Sequence, residues 1–327
     1  MATLDIIPCA TVHPDRINLY SQVQWSGPKP RKIKYDHLVK SDSKHHGQIS
    51  TAARRKISKA LDYLLFMSND KYLPGTAHGK NYKFKIAFIT LTLPAAQFHS
   101  DNEIKEKCLN QFLIELKRYH NVRDYIWRAE KQLNGNLHFH ILVNAFIPWS
   151  ELRDRWNRIV NKLGYVEKYR DQMRQFHEGG FQVRKDLLRE WEYKKQVKAY
   201  QAGKANDWSS PNSTDVHSLV KVNRVKNYIS KYMSKDEKAG EVEGRMWGCS
   251  TELSSIPGGK LIADSHVKDE INHLKSVYPD IAYTGQYFTV VFADIHLLYK
   301  EKCFNLLEAF GMFMNEHFNF DVQLAFT

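Results

Sequence analysis

The pattern of apolar and polar positions divides much of the chain into predicted elements. Ile57, Ala60, Leu61, Leu64 and Leu65 recur at i, i+3, i+4, i+7 and i+8, which predicts an amphipathic helix over residues 50–67. Residues 83–94 alternate instead. They predict a strand with Phe88, Thr90 and Thr92 on one face and Ile89, Leu91 and Leu93 on the other. Ser100-Asp101-Asn102-Glu103 has the form of a capping box, and the apolar stripe Ile104, Cys108, Phe112, Leu116, Tyr119 follows it. Two alternating runs, 124–132 and 136–144, flank Asn134-Gly135 and predict a hairpin. Pro148-Trp149-Ser150 opens a further helix with Leu152, Trp156, Ile159, Val160 and Leu163 inward and Gly164 as its stop.

The remaining pattern is less regular. Residues 181–184 predict a short strand. Residues 187–214 stand as an insertion, charged and helical in its first half and a loop from 201 to 214. A strand over 216–222 leads into a helix starting near Asn223, and a final strand covers 245–250. Beyond it come a helix over 266–277, a strand over 286–292 and one long apolar helix over 297–318. Residues 1–48 give no clear assignment. The chain thus divides into a basic N-terminal region with one helix (1–82), a central domain (83–250) and a C-terminal α/β extension (251–327). No internal repeat interrupts this order.

Composition narrows the class of partner. The chain has 327 residues, 43% of them hydrophobic, enough for a real core. Its net charge is +12 and its pI about 9.3, which suits a polyanion. Residues 27–60 hold ten Lys and Arg against two Asp. Arg54, Arg55, Lys56 and Lys59 crowd the first turns of a predicted helix, where cations oppose the macrodipole and a bound phosphate would relieve them. Cys9, Cys108, Cys249 and Cys303 are far apart, so neither a metal knuckle nor a disulfide framework is expected. No secretory leader and no membrane-spanning run is visible, and a cytoplasmic protein with reduced thiols is expected. Residues 75–81 miss the spacing and the Ser or Thr of a phosphate loop, so no nucleotide site is expected.

Two stretches carry chemistry. In Leu137-His138-Phe139-His140-Ile141-Leu142-Val143, a strand places His138 and His140 on one face, where two imidazoles can grip one ion. Such a motif alone is weak, and a metal needs a third ligand; Glu130 is the nearest carboxylate. A two-residue turn at Asn134-Gly135 would pair Glu130 with Phe139, on the wrong face. A three-residue loop, Leu133-Asn134-Gly135, would pair it with His138. Asn-Gly suits both. With phosphate and water completing the shell, two His and a carboxylate suit Mg2+ or Mn2+.

The second stretch is Asn227-Tyr228-Ile229-Ser230-Lys231-Tyr232-Met233. On a helix Tyr228 and Tyr232 stack at i and i+4, beside Lys231 and Lys235, with Arg224 and Lys226 in the first turn. Aromatic pairs at this spacing commonly pack a core. A phenol with pKa near 10 acts as a nucleophile only where a cation favours the phenolate, and Lys231 is placed to supply one.

Taken in order, Phe88-Ile89-Thr90-Leu91-Thr92, Glu130 with His138-Phe139-His140, and Tyr228-x-x-x-Tyr232 with Lys231 resemble the HUH endonuclease superfamily. The chain looks like its two-tyrosine rolling-circle replication initiators from small single-stranded DNA phages and related plasmids. Trp247-Gly248-Cys249-Ser250 looks like the closing segment of the phage type. The resemblance covers roughly residues 84–250 and implies an α+β fold. In that fold a five-stranded antiparallel sheet with flanking helices has the His strand at its centre, and N- and C-terminal extensions surround it. It also implies site-specific nicking of single-stranded DNA by tyrosine transesterification, giving a 5′-phosphotyrosine and a free 3′-OH, and later rejoining of the circle.

In that scheme His138, His140 and Glu130 hold a divalent Mg2+ or Mn2+, Tyr228 and Tyr232 are the nucleophiles, and Lys231 assists. Arg224, Lys226, Lys235, Arg54 and Arg55 are candidate DNA contacts. The implied partners are an origin hairpin and the polymerase and helicase of a bacterial host cell, with no membrane. A relaxase or transposase of the same chemistry is the enzymatic alternative. The non-catalytic alternative is an RRM-like module binding single-stranded DNA or RNA, which needs aromatics on the open sheet face.

Overall fold

A computed structural model describes residues 4–25, 49–68, 71–73, 82–188, 192–219 and 241–322. The strands are β1 (Leu4–His13), β2 (Arg16–Trp25), β3 (Lys71–Leu73), β4 (Tyr82–Phe84), β5 (Ile86–Leu91), β6 (Tyr125–Lys131), β7 (Leu137–Val143), β8 (Thr214–Leu219), β9 (Trp247–Cys249), β10 (Gly259–Ile262), β11 (Ala282–Thr284) and β12 (Phe288–Val291). The helices used below are α1 (Thr51–Met67), α2 (Asp101–Ile104), α3 (Asn110–His120), α4 (Trp149–Asn161), α5 (Tyr165–Phe176) and α6 (Tyr193–Ala205). Two compact units result, one formed by 45–250 and the other by 1–44 together with 251–327.

The fold is α+β, as expected. In the 45–250 unit an antiparallel five-stranded sheet runs β8-β5-β7-β6-β9, with the His strand β7 at its centre. Phe139, Ile141, Ile89 and Leu91 share the face that α3 and α4 cover, and all four are buried. Trp156 of α4 anchors this layer. Its ring meets Phe139 and Phe112 edge-on at 6.1 and 5.7 Å, and its indole N–H donates to the Thr92 carbonyl at 2.7 Å. Glu115 of α3 ties the two helices together by accepting from Arg155 at 2.6 Å and Arg158 at 2.5 Å.

Ser100 caps α2 by accepting from the Glu103 N–H at 3.1 Å, while the Glu103 carboxylate accepts from Lys107 rather than closing the box. Between α2 and α3 the helix widens to a π turn over Lys105–Leu109. Lys105, buried there, donates its ammonium to the Glu243 carbonyl and, at 3.1 Å, to that of Arg245. This pins the segment leading into β9. Gly248 in β9 lies against the Trp127 indole; a Cβ there would stand 2.7 Å from the ring nitrogen, so only glycine lets the strand close on β6.

The other unit holds a second antiparallel sheet, β10-β1-β2-β12-β11. Ala10, Val12, Ile17 and Val291 are buried on one of its faces. The 1–82 region is therefore not only a basic arm: β1 and β2 form a hairpin whose sheet partners come from the far end of the sequence.

Other expectations are corrected. Residues 181–184 are not a strand, because the Gln196 side chain takes the backbone N–H and C=O of Arg184. The insertion is helical to Ala205, beyond the expected loop start. The expected strand over 83–94 is split: β4 pairs with β3, and β5 pairs with β7 and β8. The helix expected over 297–318 breaks into Ile295–Lys300 and Phe304–Phe318, because Lys302 turns left-handed at φ 57°. Tyr119, placed on an apolar stripe, is exposed.

Candidate metal centre

The hairpin joining β6 and β7 decides where Glu130 points. Gln132 N–H donates to Asn136 O at 2.8 Å, and the Gly135 N–H donates back to Gln132 O at 2.8 Å. Leu133, Asn134 and Gly135 thus form a three-residue loop with Gly135 left-handed at φ +81°. The Asn134 side chain accepts from the Asn136 N–H at 3.0 Å and steadies the turn. Lys131 consequently pairs with Leu137 and Glu130 with His138. Of the two turns open to Asn-Gly, the bulged one is present.

Glu130, His138 and His140 converge on the sheet face opposite α3 and α4. Glu130 Oε1 lies 2.7 Å from His138 Nε2 and 2.8 Å from His140 Nε2, and the two nitrogens are 2.9 Å apart. Among the described residues this is the group of His, Cys, Asp and Glu whose ligand atoms lie close enough to hold one ion. All three separations suit a shared cation. Cis ligands of a six-coordinate ion at about 2.1 Å stand about 3.0 Å apart. Tetrahedral ligands at the same bond length stand about 3.4 Å apart, which these atoms do not match. A close approach of two imidazole nitrogens onto one carboxylate oxygen is also poorly satisfied by protons alone, since neutral imidazole has one donor nitrogen.

Neighbouring groups prepare the ligands. Thr90 on β5, paired with His140 across the strands, has its hydroxyl 3.1 Å from His140 Nδ1. With Nδ1 as the donor, Nε2 keeps its lone pair for the centre. The Phe88 ring stacks on the same imidazole at 4.9 Å. Burial pushes the His140 pKa below the ordinary value, against the pull of Glu130, and so favours the neutral, ligating form. Burial would raise the Glu130 pKa, but the hydrogen bonds from His138 and His140 outweigh it and hold the carboxyl well below the usual range. An ionised carboxylate beside a neutral imidazole is the protonation state a cation requires.

Sequence reasoning overlooked two features of this face. Arg128 sits two residues before Glu130 on β6, opposite His140, and is 1% exposed. Its guanidinium lies 3.9 Å from Glu130 Oε2, the oxygen turned away from the histidines. Period-two alternation from Glu130 places it there. At the sheet edge, Asp215 pairs with Thr90 and His217 with Phe88, so both project from the same face, linked to one another at 2.7 Å. Arg54 and Arg55 stand on the exposed first turns of α1, where Arg54 donates to the Ile49 carbonyl at 3.1 Å. Tyr228, Tyr232, Lys231, Arg224, Lys226 and Lys235 lie outside the described residues.

Comparison with known proteins places this arrangement in context. Residues 86–237 match the protein family described as replication-associated protein ORF2. The match takes in a little under half of the chain and contains both the Glu130, His138, His140 group and the Tyr228 to Tyr232 stretch. Over that span the chain is similar to replication-associated proteins, which makes DNA replication its process and DNA its partner. No curated protein and no solved structure matches the chain. Among the described residues, no helix is long and apolar enough to cross a membrane.

Proposed function

We propose that the protein initiates rolling-circle replication by nicking single-stranded DNA at a specific site and later rejoining it, with a tyrosine as the covalent carrier. The observation that carries this reading is the convergence of Glu130, His138 and His140 within a segment similar to replication-associated proteins. These three residues would hold a divalent cation, Mg2+ or Mn2+, which supplies positive charge to the scissile phosphate. Thr90 keeps His140 in the ligating tautomer, and Arg128 leaves Glu130 Oε1 free for the centre by facing Oε2. In the cleavage step the phenolic oxygen of Tyr228 or Tyr232 attacks phosphorus and the P–O3′ bond breaks. The 3′-oxygen leaves as a hydroxyl, and the 5′-phosphate remains on the tyrosine. Lys231 provides the positive charge that favours the phenolate. Attack by the free 3′-OH on the phosphotyrosine restores the phosphodiester, so no nucleotide is consumed.

Topology supports bringing the tyrosines to this face. β8 and β9 are the two edges of the sheet and run parallel to β7. Residues 220–246, which contain both tyrosines, join them. Parallel crossovers are right-handed in nearly all sheets. The β7–α4–β8 crossover lies on the Phe139 face. The β8-to-β9 connection returns in the opposite direction across strands of the same sense, so the same handedness would carry it over the other face, that of Glu130, His138 and His140.

The test is incubation of the full chain with single-stranded oligonucleotides from candidate origin stem-loops and Mn2+ or Mg2+, followed by denaturing gels. A covalent protein–DNA adduct is expected, retained in Tyr228→Phe or Tyr232→Phe and lost when both are changed. An adduct that persists in the double variant, or none with any candidate origin, rejects the reading.

A further inference from the structure

The insertion carries a second feature that the metal centre does not use. α6 has the sequence Tyr193-Lys194-Lys195-Gln196-Val197-Lys198-Ala199-Tyr200-Gln201-Ala202-Gly203-Lys204-Ala205, with four lysines and no acid. Its inward side is fully engaged. Gln196, buried, accepts from the Arg184 N–H at 2.8 Å and donates to the Arg184 carbonyl at 3.1 Å. Tyr193 and Tyr200 pack on Phe181 at 5.6 and 5.4 Å, and Tyr200 also meets His177 at 4.8 Å. Trp208 closes the end of the helix. Its backbone N–H donates to Gly203 O at 2.7 Å, and its ring stacks on His177 at 5.7 Å.

At about 100° per residue, Lys194, Lys195, Lys198 and Gln201 fall on the opposite side, and all four are exposed. The acids that flank the helix do not neutralise them. Glu192 occupies the N-cap position, and Asp207 is held by Arg174, Nε to Oδ1 at 2.7 Å. The charge is also placed where DNA chemistry is. The 45–250 unit contains 36 Lys and Arg against 22 Asp and Glu, whereas the other unit has 12 against 14.

We propose that the Lys194, Lys195, Lys198 face of α6 is a contact surface for the sugar–phosphate backbone of duplex DNA. Lysine is a point-charge partner for phosphate, and a helix locked by its aromatic underside presents three of them without further ordering. The surface reads charge rather than sequence, because its aromatics point inward and leave no stacking platform for bases. A lipid surface fits less well, since a helix lying in a membrane needs a free apolar face and the one on α6 is already packed. The proposal rests on the preceding reading only for DNA as the partner; it involves neither the metal ligands nor the tyrosines.

The experiment measures binding of the full chain to a fluorescent random-sequence duplex of about 24 base pairs across a salt series, where each phosphate contact contributes a slope of about 0.9 in log K against log salt. Lys194→Gln, Lys195→Gln and Lys198→Gln combined should make the slope shallower by about 2 to 3. The corresponding triple Arg variant should keep it. Adduct formation on a short single-stranded oligonucleotide should be unchanged in both. An unaltered salt slope in the triple Gln variant overturns the proposal. So does a loss confined to vesicles of anionic phospholipid with duplex binding intact. A wild-type chain that forms no adduct but whose duplex slope responds as stated leaves this surface standing and removes the nicking reading instead.

Discussion

Glu130 and His138 face each other across the β6–β7 hairpin, with the carboxylate oxygen 2.7 Å from His138 Nε2. The relationship is set at the far end of the hairpin, by a loop of three residues rather than two. A one-residue shift in register would send every side chain of β6 to the other face. The centre therefore depends on the conformation of Gly135 as much as on its own ligands.

Gly135→Ala should destabilise the protein by about 1 to 2 kcal/mol, the usual penalty for a side chain in the left-handed region. Gly135→Asn should cost less, because asparagine tolerates that region. Nothing lies within 4 Å of a Cβ at this position, so the cost is conformational and not steric. Urea unfolding of the two variants checks the ranking; an alanine variant as stable as the wild type would contradict the assigned turn.

Glu130→Gln, His138→Ala and His140→Ala should each lower Mn2+ affinity by more than Thr90→Val does. Thr90 touches the centre only through His140 Nδ1, and removing such a partner typically costs about 10- to 100-fold in affinity. Isothermal titration with Mn2+ gives the order. Equal affinity in all four variants and the wild type would remove the metal from the proposed site.

Glu115 should make stability depend on acid pH. Burial alone would raise its pKa, but hydrogen bonds from Gln111, Arg158 and Arg155 outweigh it and hold the carboxyl at about 2, below the ordinary 4.5. The folded state thus binds the proton more weakly than the unfolded chain. The added stability is fully present above pH 4.5 and disappears as pH falls toward 2. Glu115→Gln should be less stable at neutral pH by on the order of 2 kcal/mol. The gap to the wild type should close through that window in urea melts; a gap independent of pH would show that the ion pairs with Arg155 and Arg158 contribute nothing.

Much of the central unit is legible in local pattern. Strand alternation places His138 and His140 together, and it puts Thr90 and Phe88 on one side of β5, because side-chain direction follows from the period-two backbone. Helical stripes likewise found α1, α3 and α4, whose buried residues include Ile57, Phe112 and Trp156. Trp156 and Ile159 needed nothing beyond their own spacing to be assigned to the core.

Tertiary structure alone decided the rest, wherever the choice lay between locally equivalent conformations or depended on a distant partner. Asn134-Gly135 accepts two turns, and only the pairing of β6 with β7 selects the one that brings Glu130 to His138. Residues 181–184 alternate like a strand, yet Gln196 takes the backbone groups of Arg184 that a strand neighbour would use. Cys9 and Tyr20 belong to a second sheet because β10 and β12, more than two hundred residues away, supply the hydrogen bonds. Local periodicity fixes which way a side chain points within its own element. Which backbone that element pairs with depends on contacts between residues far apart in the chain, and those form only when the whole chain folds.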